Sequence, residues 1–258
     1  MYDSALNRRS IAPSRSRASA VAAFFVDEID RDSPRVALPC PEIQIVVRFG
    51  PSARNGLDAY AFGLQQTVRR KLIRRGQRAV TARLHLGASK AVLGVPASAV
   101  AGSVLELEDL WGRAGVQRLF DQLAAVSDTN EAVDIIEDAI AERLAFAEAR
   151  DAEVPLALEA ATSLVSAKVS SVAAGLGVSE RHLRRVFREA VGMSPKQFAR
   201  LARFRHAVRT AREDSRLSWA NIAAAAGYYD QAHLIAEFHT IAGVAPRELL
   251  SELGEVKS

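Results

Sequence analysis

The feature that most constrains this chain is a pattern that occurs twice in its last hundred residues. With Val169 as position one, Ala173 falls at five, Gly177 at nine and Leu183 at fifteen, and Val172, Leu176, Val178 and Val186 are also apolar. This is helix-turn-helix spacing. Two helices that cross steeply need a small residue where their backbones approach, a glycine that accepts positive φ in the turn, and apolar residues on the contact face. Ser179 stands where the second helix needs a cap. Fifty residues later Ile222, Ala223 and Gly227 match Val172, Ala173 and Gly177. After the turn the offset becomes fifty-one, and His233, Leu234, Phe238, Gly243 and Pro246 repeat His182, Leu183, Phe187, Gly192 and Pro195. The second turn is therefore one residue longer, with Asp230 answering Ser179 as the cap. One such match arises by chance in many helix pairs, whereas two in tandem specify an architecture.

The charge distribution gives the repeat a chemical meaning. Residues 168–212 hold eleven basic side chains against Glu180 and Glu189, whereas residues 102–150 hold four basic and eleven acidic ones. The first density suits a polyanion and the second repels one. A third stretch, residues 69–90, carries eight basic residues and no acidic one. It lies in a strand-like region and reads as a solvated face.

Two domains are expected from 258 residues. Residues 1–34 read as a mobile arm followed by one short element. Residues 35–153 read as an α+β domain. Ile43, Ile45 and Val47 alternate with Gln44, Val46 and Arg48, and Thr81, Arg83 and His85 alternate with Ala82, Leu84 and Leu86, as strands do. Helix formers dominate afterwards, at 104–111, 116–126 and 130–150. Residues 154–258 read as an all-α domain of about seven helices, with helix-turn-helix units at about 169–191 and 219–242 and a linker helix at about 195–212. That linker is about 27 Å long at ~1.5 Å per residue, so with a helix radius at each end the two units reach successive major-groove faces, ~34 Å apart.

The run GYYDQAHLIAEFHTIAGVAP at 227–246 closely resembles the signature segment of AraC/XylS-type transcriptional regulators, and residues 183–195 resemble that family's other half. The resemblance covers 155–250. It implies a seven-helix domain with two helix-turn-helix units joined by a long helix, each offering a recognition helix to one face of double-stranded promoter DNA. The segments VLGVPAS at 92–98 and LEDLWG at 107–112 look like a poorly characterised companion domain that precedes such modules, with a presumed sensing or assembly role. RNA polymerase, a small-molecule effector and a second copy of the chain are the further partners the resemblance suggests, in the cytoplasm.

On the first recognition helix Leu183, Val186 and Phe187 face inward, which leaves Arg181, Arg184, Arg185 and Arg188 outward, and guanidinium forks suit guanine edges and phosphates. The family's docking geometry assigns Arg181, Arg184 and Arg185 to bases. Arg188, Lys196 and Arg200 are expected at phosphates. In the second helix Ala232, Ile235 and Ala236 replace the three arginines, so Gln231 and Ile235 are the remaining base contacts, toward adenine and a thymine methyl. His182 and His233 read as packing or backbone-bonded residues, and Trp111 as core rather than ligand contact.

Several functions are disfavoured. The single cysteine, Cys40, cannot supply an internal disulfide or a cysteine-rich zinc site, and it counts against a second alternative, the DNA-repair alkyltransferase fusions that carry the same DNA-binding module. No phosphate-binding glycine loop, nucleophile elbow or metal-spaced histidine pair occurs, so no catalytic residue, metal or cofactor is expected. No run approaches the ~18 apolar residues of a membrane span. The apolar stretch 18–26 follows Arg8, Arg9, Arg15 and Arg17 as a secretory signal would, but Asp27, Glu28, Asp30 and Asp32 follow it without a small-residue cleavage site. The alternative to a regulated DNA-binding protein is a constitutive one whose front half is structural.

Overall fold

The computed structural model describes residues 8–14, 20–51, 53–126, 128–146 and 153–254. Among these described residues, eight strands are followed or interleaved by five α-helices, and seven further α-helices come after residue 153. The strands are β1 (Arg8–Ile11), β2 (Val21–Glu28), β3 (Ser33–Ala37), β4 (Gln44–Phe49), β5 (Leu57–Phe62), β6 (Arg69–Ile73), β7 (Arg78–Leu84) and β8 (Val104–Glu106). Six of them form one antiparallel sheet in the order β1-β2-β7-β4-β5-β8, and β3 pairs with β6 in a separate two-stranded ribbon.

The alternation seen in the sequence sets the sheet's inward face. Ile45, Val47, Val80, Ala82 and Leu84 are fully buried. Onto that face pack α1 (Ser89–Leu93), α2 (Ala97–Val100), α3 (Leu107–Trp111), α4 (Arg113–Ala124) and α5 (Thr129–Phe146), whose Leu93, Val100, Leu107, Leu119, Ile136 and Ile140 complete the core. Helices on one face of an antiparallel sheet make an α+β layer.

Two expectations need correction. Residues 104–111, read as one helix, split into strand β8 and helix α3. Val104 and Leu105 are short of helical neighbours and instead pair with Phe62 and Ala61 as an edge strand. Three residues of pairing leave no periodicity to read. Likewise Arg8–Ile11, placed in the arm, is an edge strand against Phe24–Asp27. Residues 1–7 and 15–19 of the arm lie outside the described residues.

The seven later helices are α6 (Val154–Ser163), α7 (Val169–Gly175), α8 (Glu180–Val191), α9 (Pro195–Glu213), α10 (Trp219–Ala225), α11 (Gln231–Ala242) and α12 (Pro246–Glu252). They share one core around Phe187, Phe204, Leu183, Leu234 and Phe238, with Phe187 edge-on to Phe198 and Phe204 tilted against Phe238. Leu64 and Val68, from the strand half, belong to that core as well.

The two halves therefore touch over specific atoms. The Val68 N–H donates to Ile241 O at 2.8 Å, and Arg70 reaches both Ala242 O (2.9 Å) and Glu252 (2.8 Å). The guanidinium thus sits at the carboxy-terminal end of α11, where the helix presents unpaired carbonyls and partial negative charge. Gly192 has φ +85, and a Cβ there would stand 2.5 Å from Leu64 Cδ2 and 2.8 Å from Ala97 O. The end of α8 can approach the strand half only because that position is glycine.

Candidate nucleic-acid interface

Both helix-turn-helix units are built the same way. In the first, the Val178 N–H donates back to Ala173 O (3.0 Å) and Ser179 Oγ accepts from the His182 N–H (3.2 Å). In the second, the Tyr228 N–H donates to Ala223 O (2.9 Å) and Asp230 Oδ1 accepts from the His233 N–H (2.7 Å). Gly177 and Gly227 hold the turns at φ +68 and +76. The two histidines take part through their backbones. The His233 ring also packs edge-on to Tyr228, and His182 Nδ1 lies 3.3 Å from Arg185.

Between the units runs α9, nineteen residues or about 28 Å of helix. Its start is fixed by a capping box, with Ser194 Oγ accepting from the Gln197 N–H and Gln197 Oε1 accepting from the Ser194 N–H. Pro195 stands at the first helical position, where its missing N–H costs nothing.

Helix α8 divides sharply by face. Leu183, Val186, Phe187 and Val191 are buried, while Arg181, Arg184, Arg185 and Arg188 are all exposed. Two of these arginines are held by carboxylates. Arg184 pairs with Glu180 one turn earlier. Arg185 contacts Glu153 at 2.5 and 3.1 Å, and Glu189 lies 3.5 Å away. The Glu153 hydrogen bond is the main reason its guanidinium is held still more firmly protonated than usual. Glu153 precedes α6, so the start of the all-α half supplies a carboxylate to a base-reading candidate. Sequence spacing gave no sign of that partner, which is thirty-two residues away.

The remaining expected site residues fall in three kinds of place. Arg188 and Lys196 are exposed near the end of α8 and the start of α9. Gln231 is exposed at the first turn of α11, with Ala232 and Ala236 also exposed. Ile235 is half-buried and packs on the core, which limits its reach toward a thymine methyl. Arg200, expected at a phosphate, has its Nε 2.5 Å from Glu237 of α11, in a half-buried pair. It braces α9 against the second unit, and Arg203 does so beside it, over the Tyr228 ring at 5.8 Å.

Other singled-out residues are structural. Trp111 is buried and its Nε1–H donates to Val92 O at 2.9 Å. Burial, and secondarily the nearby Glu42 carboxylate, pushes the Cys40 thiol up to about 11, far from a reactive thiolate. In the basic stretch 69–90, Arg70 carries the contact to α11 and α12 described above, a role that composition did not reveal. Among the described residues no helix is long and apolar enough to cross a membrane.

Comparison with known proteins agrees with this geometry for the all-α half. Residues 172–252 match the family model of a helix-turn-helix domain. A domain of this kind is a module that lays its second helix in the major groove of DNA. No curated protein matches the chain. Among solved structures, the chain is similar to an AraC-type DNA-binding domain-containing regulator from Chromobacterium violaceum, at 21% identity and a TM-score of 0.36, over 40% of this chain and 96% of that one. It is also similar to wild-type ToxT from Vibrio cholerae with bound unsaturated fatty acid, at 11% identity and a TM-score of 0.47, over 95% and 100%. ToxT from strain O395 gives 13% identity and a TM-score of 0.43, over 90% and 98%. Likenesses this distant say nothing about what the present chain binds.

Proposed function

We propose that this protein is a sequence-specific regulator of transcription that binds promoter DNA with both helix-turn-helix units and is controlled through its strand-rich half. The observation that carries the reading is the exposed arginine face of α8, set on one capped helix of a tandem pair whose 28 Å linker suits successive groove segments. Arg181, Arg184 and Arg185 read base edges, Arg188 and Lys196 hold phosphates, and Gln231 with Ile235 makes the weaker contacts of the second unit. In this reading RNA polymerase is a further partner and the cytoplasm the compartment.

Control through the strand-rich half rests on contact. Helix α2 abuts α8, the loop before α1 approaches Val154 at the start of α6, and a cleft of about 270 Å³ there is lined by Ser89, Lys90, Ser98, Glu153, Val186 and Glu189. A small molecule there, or self-association that moves the loop, would act within reach of the carboxylates that hold Arg185.

The test has two parts. A genome-wide map of bound sites, followed by binding of the full chain to the enriched duplex, should give a motif confined to DNA upstream of genes; scattered, motif-free binding would sink the regulatory reading. Screening metabolites for a shift in the melting temperature of the full chain then separates ligand control from a purely structural front half.

A further inference from the structure

The two turns differ by one residue, and the structure identifies which. Val178 and Tyr228 are equivalent, because each donates its N–H to the alanine five residues earlier and turns its side chain to the core. Ser179 and Asp230 are equivalent as caps. The additional residue is Tyr229. It is 93% exposed, while its neighbour Tyr228 is 5% exposed. Its side chain makes no hydrogen bond or ring contact with the described residues. An aromatic ring left in water contributes nothing to folding, so the fold does not account for a tyrosine here.

Its position suggests what does. Tyr229 stands immediately before the cap of α11, at the amino-terminal end that enters the groove in helix-turn-helix docking. That helix lacks the arginines of α8 and exposes Gln231, Ala232 and Ala236 instead. The cap carboxylate of Asp230 is already committed to the His233 N–H. A neutral donor on a rigid ring can hold a strand at such a place, and tyrosine hydroxyls are among the groups that contact phosphate oxygens.

We propose that Tyr229 is a DNA-backbone contact of the second unit, its phenolic O–H donating to a phosphate oxygen beside α11. This rests on the DNA-binding reading above and adds a residue to it. The contact positions α11 without reading sequence. Being uncharged, it displaces no counterion.

The experiment uses the full chain and a duplex selected by it from a random pool. Y229F and Y229A should each bind roughly three- to tenfold more weakly. The loss should be the same on duplexes altered in the second half, with an unchanged salt dependence and an unchanged melting temperature. R188A, run beside them, should flatten the salt slope, as removal of a cation at a phosphate does. Wild-type binding by Y229F overturns the hydrogen bond even if Y229A is weakened, and a loss confined to one base sequence overturns the backbone assignment. If the wild-type chain selects no duplex, or R184A and R185A bind like it, the function itself fails and this contact with it. Normal behaviour of those controls with an unchanged Y229F removes this contact alone.

Discussion

The first and second helix-turn-helix units share a scaffold and differ in the face they offer. Leu183 and Leu234, and Phe187 and Phe238, occupy the same places at 0% exposure, and each recognition helix has an oxygen cap and ends on a left-handed glycine. On the outside, α8 carries Arg181, Arg184, Arg185 and Arg188 where α11 offers Ala232, a half-buried Ile235, Ala236 and His239. The two units are also tied at different places: Arg200 and Arg203 brace the second from α9 and Val68 and Arg70 hold the end of α11, whereas α2 and Glu153 abut α8 of the first. In the function proposed above, one unit reads bases and the other is placed by its contacts. The same buried positions serve both roles because the core sees only the inward face.

The sharpest way to break the scaffold half of that comparison is through the core. Leu183→Ala and Leu234→Ala should each destabilise the full chain by about 2–5 kcal/mol, the range for removing a fully buried leucine side chain. Urea unfolding should give similar losses for the two. A large loss at one site and almost none at the other would mean that the units are not equivalent in packing.

The reading half breaks on α8. Arg184→Ala or Arg185→Ala should weaken binding to the selected duplex about ten- to hundredfold and relax preference at one base pair each. Gln231→Ala should do less. Scrambling the second half of the target should then cost less than about tenfold, with what preference remains favouring A·T. Ala236→Arg should tighten binding to all duplexes by adding a cation to the bare face. Equal losses across both halves in a base-by-base substitution scan would end the asymmetry.

How far the sequence reveals this contrast depends on the range of each interaction. The helix-turn-helix units were legible because a turn glycine, a cap and a buried leucine are fixed by spacing within about twenty residues, as Gly177, Ser179 and Leu183 are. Strands β4 and β7 were legible because burial on one face writes a period of two into Ile43–Ile45–Val47 and Ala82–Leu84. Edge strands β1 and β8 were not, since three or four residues paired on one side need no pattern of their own. Arg70 looked like one cation among eight; only the fold brings it to the end of α11, 172 residues away from Ala242. The pairing of Arg200 was hidden for the same reason, because its partner Glu237 lies on another helix.

Arg70 gives a smaller test of the tying of the second unit. Arg70→Ala removes the group that meets the carbonyl end of α11 and the Glu252 carboxylate, while Val68 keeps its backbone bond to Ile241. Amide hydrogen exchange in the last turn of α11 should quicken, with exchange in the last turn of α8 unchanged. Equal quickening in both would mean that the ribbon steadies the whole all-α half rather than one unit.

The smallest effect should come from Glu153. Its carboxylate holds Arg185 in a bidentate arrangement, yet both side chains are substantially exposed, so water and salt screen most of the attraction. To contact a base, Arg185 must leave that carboxylate or share it, and a carboxylate near the groove also repels phosphates. Glu153→Gln keeps the size of the side chain and removes the charge. Binding should therefore tighten, by less than about fivefold at low salt and by almost nothing at high salt. In the Arg185→Ala background most of the gain should vanish, because there is no guanidinium left to release. A gain that persists undiminished in that background would make Glu153 a source of general repulsion, and its contact with Arg185 irrelevant to reading. A loss of affinity would mean that Glu153 presents the guanidinium to the base rather than withholding it.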